Sequence, residues 1–299
     1  MDNAGVTPSP TRAPMPDHYE NFPVASWLCP REFRPPIAAI YGFARTADDI
    51  ADEGDATASD RLQDLAEFRA DLHAAAAGGR SSRWPSVFGP LATEILTWRL
   101  PVRLLKDLLD AFVQDVRMTA AGTPYADRDG LLDYCRLSAN PVGRLLLHLY
   151  RIDDRASLAR SDAVCTGLQL ANFWQDLSVD LPRGRHYLAD SDLQRHGIAR
   201  GDLSHGDTAA TRALVAELTD WARRHLQRGA PLATTIPGRA GWELRLVVQG
   251  GLRILDRIDA LDHATLRHRP RLGAADLPPM VWGALRMRPA RDGTIRADT

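Results

Sequence analysis

Two runs of polar residues in this chain repeat at helical spacing on apolar backgrounds. In residues 41–53, Tyr-Gly-Phe-Ala-Arg-Thr-Ala-Asp-Asp-Ile-Ala-Asp-Glu, the side chains of Tyr41, Arg45, Asp48 and Asp52 fall in one narrow stripe at about 100° per residue. Ile37, Ile40, Phe43, Ala44 and Ile50 occupy the other sides. Asp48 and Asp52 stand one turn apart and repel unless a cation or base lies between them; Arg45 offsets part of that repulsion and Asp49 adds to the charge. A solvated acidic helix end would read the same way. Against that, apolar residues on more than one side indicate burial. The aspartates also lie toward the helix C-terminus, where the dipole disfavours them, so something else must hold them.

The second run supplies a counterpart. Gln169, Asn172, Asp176 and Asp180 share one helical face among Leu168, Leu170, Phe173, Trp174 and Leu177. Polar groups in such a background need partners, because an unsatisfied buried group costs about 1–3 kcal/mol and a bare charge more. Two aspartate stripes facing across a helical cavity would offer hard oxygen ligands. Mg²⁺ suits them: it takes one or two carboxylates per ion and completes its shell with waters and phosphate oxygens. With Arg45 and the basic Arg183-Gly184-Arg185 that follows, the pair points to a diphosphate site, with Asp48, Asp49, Asp52, Asp176 and Asp180 as candidate metal ligands.

The elements that must position these stripes are helices. Periodicity predicts helices over about 36–53, 59–77, 90–98, 102–119, 129–150, 155–180, 208–228, 240–262 and 274–286. Turn-rich stretches at 78–88, 120–128, 181–207 and 229–239 separate them, none long enough for an interdomain linker. No alternating β-branched run reads as a strand. The expectation is a flexible tail over 1–16 and one all-α domain over 17–299.

Composition narrows the chemistry. A formal net charge of −1 argues against a general nucleic-acid binder. The three cysteines form no CxxC pair, so a disulfide scaffold or structural zinc site is not indicated. Free thiols suit a reducing cytoplasm. Lys106, the only lysine, has no glycine-rich loop around it, which removes a Walker A motif. The charge-free stretch 163–175 is too short to cross a bilayer.

Tyr-x-Phe-Ala-Arg-x-x-Asp-Asp-x-x-Asp (41–52) and Gln-x-x-Asn-Phe-x-x-Asp-x-x-x-Asp (169–180) resemble the squalene/phytoene synthase family of head-to-head prenyl synthases. The resemblance extends over nearly the whole chain after the tail, through His18-Tyr19-Glu20-Asn21-Phe22, Tyr134-Cys135 and Arg183-Gly184-Arg185-His186-Tyr187-Leu188. It implies the isoprenoid synthase fold, a single helical bundle around a central cavity, with about three Mg²⁺ ions on the two acidic helices and a flap over 181–190. It further implies that Arg45, Arg183, Arg185, His18, Asn21 and Phe22 contact substrate, that Tyr41 and Tyr134 lie near a carbocation, and that Gln169 and Asn172 orient metal-bound water or diphosphate.

Within the family, His18–Leu28 and Ser138-Ala139-Asn140-Pro141-Val142-Gly143-Arg144 resemble the bacterial branch of hopanoid biosynthesis that converts presqualene diphosphate and water into hydroxysqualene and diphosphate. That branch implies no NADPH. Two alternatives are condensation of two farnesyl diphosphates to presqualene diphosphate, squalene or dehydrosqualene, and a non-catalytic assembly protein on the same fold. The implied setting is cytoplasmic, with peripheral contact to the inner face of the membrane through an amphipathic segment near Leu277–Leu285, and functional coupling to other squalene-pathway enzymes. Arg269 is a further candidate to reach the diphosphate, but with Arg267, His268 and Arg271 it reads first as a basic surface patch. Asn140 beside Pro141 reads first as a helix kink and second as a polar group near the cation, Cys135 and Cys165 as small core residues, and Trp27, Trp242 and Trp282 as core or membrane-facing aromatics.

Overall fold

Helix signals in the sequence translate directly into ordered helices. The computed structural model describes residues 29–81 and 83–288, so His18, Asn21, Phe22 and Trp27 lie outside the described residues. The first helix, α1 (Arg34–Asp52), starts on Pro35-Pro36, whose missing N–H groups need no partner in a first turn. Thr57 and Asp60 form a capping box that opens α2 (Ala58–Ala76). Then come α3 (Pro85–Trp98), α4 (Val102–Ala121), α5 (Arg128–Ser138), α6 (Asn140–Leu149) and α7 (Arg155–Gln175). Asp127 and Asp154 cap α5 and α7 by accepting from Gly130 N–H and Ser157 N–H. The chain continues through α8 (Leu177–Asp180), α9 (Asp190–Arg195), α10 (Ala209–Gly229), α11 (Leu232–Thr235), α12 (Gly238–Ala260) and α13 (Leu277–Arg286). Among the described residues there is no strand, and no helix is long and apolar enough to cross a membrane.

Four boundaries depart from the periodicity. The helix expected from 90 begins at Pro85, a first position where the missing N–H needs no partner, and runs on through Pro90. The expected 129–150 helix divides at Ala139, since Pro141 has no N–H to continue the ladder and opens α6 instead. The expected 155–180 helix is interrupted at Asp176, whose φ of −102° and ψ of 11° leave the α region before α8 resumes. The turn-rich stretches after 180 and 229 carry the short helices α9 and α11.

Two cores flank the site. In one, Phe43 of α1 stacks on Phe68 of α2 at 5.2 Å, and both rings meet Phe88 of α3. In the other, Trp174 of α7 is wholly buried against α10 and packs on Trp221. Glycine makes the α7–α10 approach close. A Cβ on Gly229 would lie 2.5 Å from the Arg160 carbonyl oxygen, and one on Gly167 would lie 2.8 Å from the Leu226 nitrogen. Backbone set this tightly against backbone gives the helix carrying the second polar stripe little freedom to shift.

Candidate active site

On α1 the apolar positions Ile40, Phe43, Ala47 and Ala51 are buried, which turns the polar stripe toward the middle of the bundle. Arg45 forks between two aspartates of its own helix. Its Nη1 donates to Asp48 Oδ2 at 3.0 Å, and its Nη2 lies 2.8 Å from Asp49 Oδ1. Burial pushes the Asp48 carboxyl above its ordinary range, against the opposing pull of Arg45 and Arg185.

On the opposite wall, the end of α7 and the short α8 carry the second stripe. Asn172 Nδ2 donates to Asp176 Oδ2 at 3.3 Å, one turn further on. Arg269, from the segment after α12, grips Asp176 with two parallel bonds, Nε to Oδ1 at 2.6 Å and Nη2 to Oδ2 at 2.9 Å. The adjacent Gln175 holds that segment in place by donating to the Pro270 carbonyl at 2.8 Å. Asp180 is buried, and that burial, with the Asp176 charge beside it, pushes its carboxyl up to about 7 despite Arg183 and Arg269.

The two stripes face one another. Arg185 pairs with Asp52 through Nη2, and its Nη1 lies 3.6 Å from Asp180 Oδ1, so a single guanidinium touches both walls. Gly184, at φ 75°, turns the chain left-handed just before it and lets Arg185 point inward. Arg183, on the other side of that turn, is exposed.

Behind this array lies a carboxylate that the sequence reading passed over. Asp115 of α4 accepts from the hydroxyls of Tyr134 (α5) and Tyr187, the latter at 3.5 Å. Burial pushes its carboxyl up to about 7, although both tyrosines favour the charged form and hold it back. Phe173 stacks on Tyr187 at 3.8 Å, which fixes the end of the 181–187 segment against α7.

These walls close around a cavity of about 720 Å³. Its polar end is lined by Tyr41, Arg45, Asp48, Gln169, Asn172 and Arg269. The remaining wall is largely apolar, with Ile37, Phe112, Leu146, Leu168, Leu244 and Val247 among its residues, and also carries Glu243. A cavity of this size, mostly apolar with basic groups beside the acidic helices, suits a long hydrocarbon carrying an anionic head group.

Several expected residues sit otherwise than anticipated. Tyr134 is buried with its hydroxyl committed to Asp115, one layer behind the cavity lining. Of the expected carboxylates only Asp48 lines the cavity; Asp49, Asp52, Asp176 and Asp180 stand outside the lining, as do Arg183 and Arg185, and Asp49 faces Arg45. Arg269 is not part of a solvated patch, because its guanidinium is drawn inward by Asp176. Cys165 lines the cavity beside Gly143, whereas Cys135 is core. The clue to Asp115 was a lone carboxylate in the α4 stripe Leu108, Phe112, Asp115, Thr119.

The donor set fits hard divalent cations. It consists of carboxylate oxygens in two facing groups, and burial holds Asp48 and Asp180 toward their protonated forms, a cost that a bound cation would relieve. Among the described residues no three acidic, histidine or cysteine side chains converge on one point. Arg45, Arg185 and Arg269 instead pair with the carboxylates. Such a split set matches ions that take one or two carboxylates each and fill the remaining positions with water and phosphate oxygens.

Residues 15–276 match the family model described as squalene/phytoene synthase. The chain is 39% identical over 187 residues to hydroxysqualene synthase of Zymomonas mobilis, a match spanning 62% of this chain and 59% of that protein. It is 36% identical over 248 residues to hydroxysqualene synthase of Rhodopseudomonas palustris, spanning 81% of this chain and 80% of that one. The crystal structure of squalene synthase HpnC from Alicyclobacillus acidocaldarius superposes with a TM-score of 0.74 at 34% identity, covering 82% of this chain and 90% of its own. The helical bundle, its facing carboxylate stripes and these similarities have one reading: the chain belongs to the squalene/phytoene synthase family.

Proposed function

We propose that this enzyme converts presqualene diphosphate and water into hydroxysqualene and diphosphate, a step of hopanoid biosynthesis. The observation that carries the reading is the meeting of two aspartate stripes across Arg185, with Asp48 of one stripe and Gln169 and Asn172 of the other lining a large, mostly apolar cavity. The similarity to two hydroxysqualene synthases supports this branch over condensation of two farnesyl diphosphates, and the intact carboxylates argue against a non-catalytic scaffold.

Asp48, Asp52, Asp176 and Asp180 are the residues that would hold Mg²⁺, with Asp49 supporting them through Arg45. When bound, the metal supplies Lewis-acid neutralisation of the leaving diphosphate. Arg45, Arg185 and Arg269 bind the diphosphate oxygens, with Arg183 at the rim. The C–O bond breaks with its electron pair leaving on diphosphate. The cyclopropylcarbinyl cation that remains rearranges to an allylic cation within the aliphatic wall, Tyr41 lying at the polar end of the lining. A water oxygen closes the cation and gives up its proton to solvent or diphosphate, so no hydride donor is required. Gln169 and Asn172 orient water and diphosphate at the polar end. Tyr134, held by Asp115, stiffens the wall behind. We place the enzyme in the cytoplasm, peripheral to the inner membrane face, coupled in function to enzymes that make its substrate and use its product.

The test is a product assay with purified protein, Mg²⁺ and presqualene diphosphate, without NADPH, read by gas chromatography–mass spectrometry. Hydroxysqualene as main product, abolished by EDTA, is the expected result. Consumption of farnesyl diphosphate but not presqualene diphosphate would move the chain to the condensing branch; turnover of neither by folded protein would favour the scaffold.

The Asp180 carboxyl near 7 adds a pH signature. Cation binding to a carboxyl that is partly protonated below about pH 7 must release protons, and above that pH there are fewer to release. Calorimetric titration with Mg²⁺ is therefore expected to give buffer-dependent heats near about pH 6 that shrink toward about pH 8.5. Equal heats in buffers of different ionisation enthalpy at the lower pH would contradict it.

A further inference from the structure

The final helix presents a bare apolar face. On α13, Leu277, Val281, Trp282 and Leu285 are 57%, 46%, 60% and 56% exposed, and on the neighbouring α12 Trp242 is 41% exposed. This face belongs to a firmly seated helix. Its start is pinned by the buried Asp276, which accepts from Arg253 Nε at 2.7 Å and lies 2.8 Å from Arg257 Nη2. Met280 and Ala284 bury the inner side, and a Cβ on Gly283 would lie 2.0 Å from Gln249 Oε1, so the contact with α12 is tight. Near the far end Arg245 donates to the Ala284 carbonyl.

Charge identifies what this face meets. Each exposed tryptophan carries an arginine over its ring, Arg286 at 5.7 Å from Trp282 and Arg245 at 4.7 Å from Trp242. Residues 277–288 contain two arginines and no acidic residue, although the whole chain has a net charge of −1. Tryptophan and leucine on one helical face, rimmed by arginine, is the composition that sits in a lipid headgroup layer, with the exposed Arg286 and Arg288 on anionic phosphates. Another protein copy would not require that one-sided charge. The opposite face of α12 lines the large cavity through Ala240, Leu244, Val247 and Gly251, so the bare face and the hydrocarbon cavity are separated by one helix.

We infer that α13 together with Trp242 is a docking surface for an anionic bilayer, set so that the cavity lies against the membrane. The surface stands on exposure and charge alone, and its test needs no turnover, so it succeeds or fails independently of the proposed reaction.

Flotation of the full chain with vesicles of phosphatidylglycerol and phosphatidylcholine, against vesicles of phosphatidylcholine alone, tests it. The wild type is expected to float with the anionic vesicles and to lose binding on the neutral ones. Trp282→Glu combined with Leu285→Glu should lower the bound fraction about tenfold, and Arg286→Glu should lower it several-fold on anionic vesicles only. All three side chains are exposed, so circular dichroism and thermal melting should match the wild type. Absence of wild-type flotation, equal flotation on both vesicle types, or flotation unchanged in the double variant would overturn the inference. A wild-type dimer in light scattering that the double variant dissociates would assign the face to a second copy instead.

Discussion

Asp176→Asn is expected to fold as the wild type does and to lose at least about a thousandfold in turnover. The substitution keeps shape and one acceptor oxygen but removes the charge that opposes Arg269 and neighbours Asp180. Stability should change little because two effects oppose each other. One half of a charged pair is lost, and the repulsion that helps push Asp180 up to about 7 is also lost. Catalysis has no such offset, since the site would lack one of the carboxylates proposed to hold the cation beside the leaving diphosphate. Melting temperature, Mn²⁺ affinity by electron paramagnetic resonance and turnover should be measured together. Full activity in the variant, or activity lost only in proportion to unfolding, would remove Asp176 from the site.

Arg269→Gln is expected to lower kcat/KM by about a hundredfold while leaving Mg²⁺ affinity in the absence of substrate unchanged or raised. In the structure the Arg269 guanidinium occupies both oxygens of Asp176, the same oxygens a cation would take. A cation binding there frees Arg269 at the polar end of the cavity, where it can fork onto a diphosphate. Removing the guanidinium therefore removes a competitor of the metal and a ligand of the substrate at once. Turnover falls without a fall in metal affinity, which separates this role from simple support of Asp176. A parallel loss of metal affinity and turnover would show that Arg269 serves only to hold the aspartate in place.

Both variants probe groups that the sequence revealed unequally. Asp176 was legible because Gln169, Asn172, Asp176 and Asp180 lie within three turns of helix, and helical periodicity alone predicts that they share a face. The interruption at Asp176 did not spoil that reading, since the Asp180 N–H still bonds the Asp176 carbonyl at 2.8 Å. Arg269 was legible only as a residue able to reach the same anion, with a solvated patch the reading its neighbours favoured, because its partner Asp176 lies 93 residues away. Asp115 was hidden for the same reason. Its tyrosine partners come from 19 and 72 residues further along the chain, and spacing carries no information over such distances. Tyr134 shows the converse: the order of residue types singles it out, but its depth behind the lining follows from how α4 and α5 pack.

By itself the sequence determined the all-helical architecture, the two polar stripes and the family, because each depends on local periodicity or on the order of residue types along the chain. Tertiary structure alone decided that Arg185 lies between Asp52 and Asp180, that Arg269 covers Asp176, that Asp115 sits between two tyrosines, and that the outer side of α13 is left bare. The physical reason is that helical period sets which side chains share a face, whereas helix packing sets which faces meet. Where α7 meets α10, that meeting depends on close backbone contact at Gly167 and Gly229, whose consequences reach residues far apart in the chain.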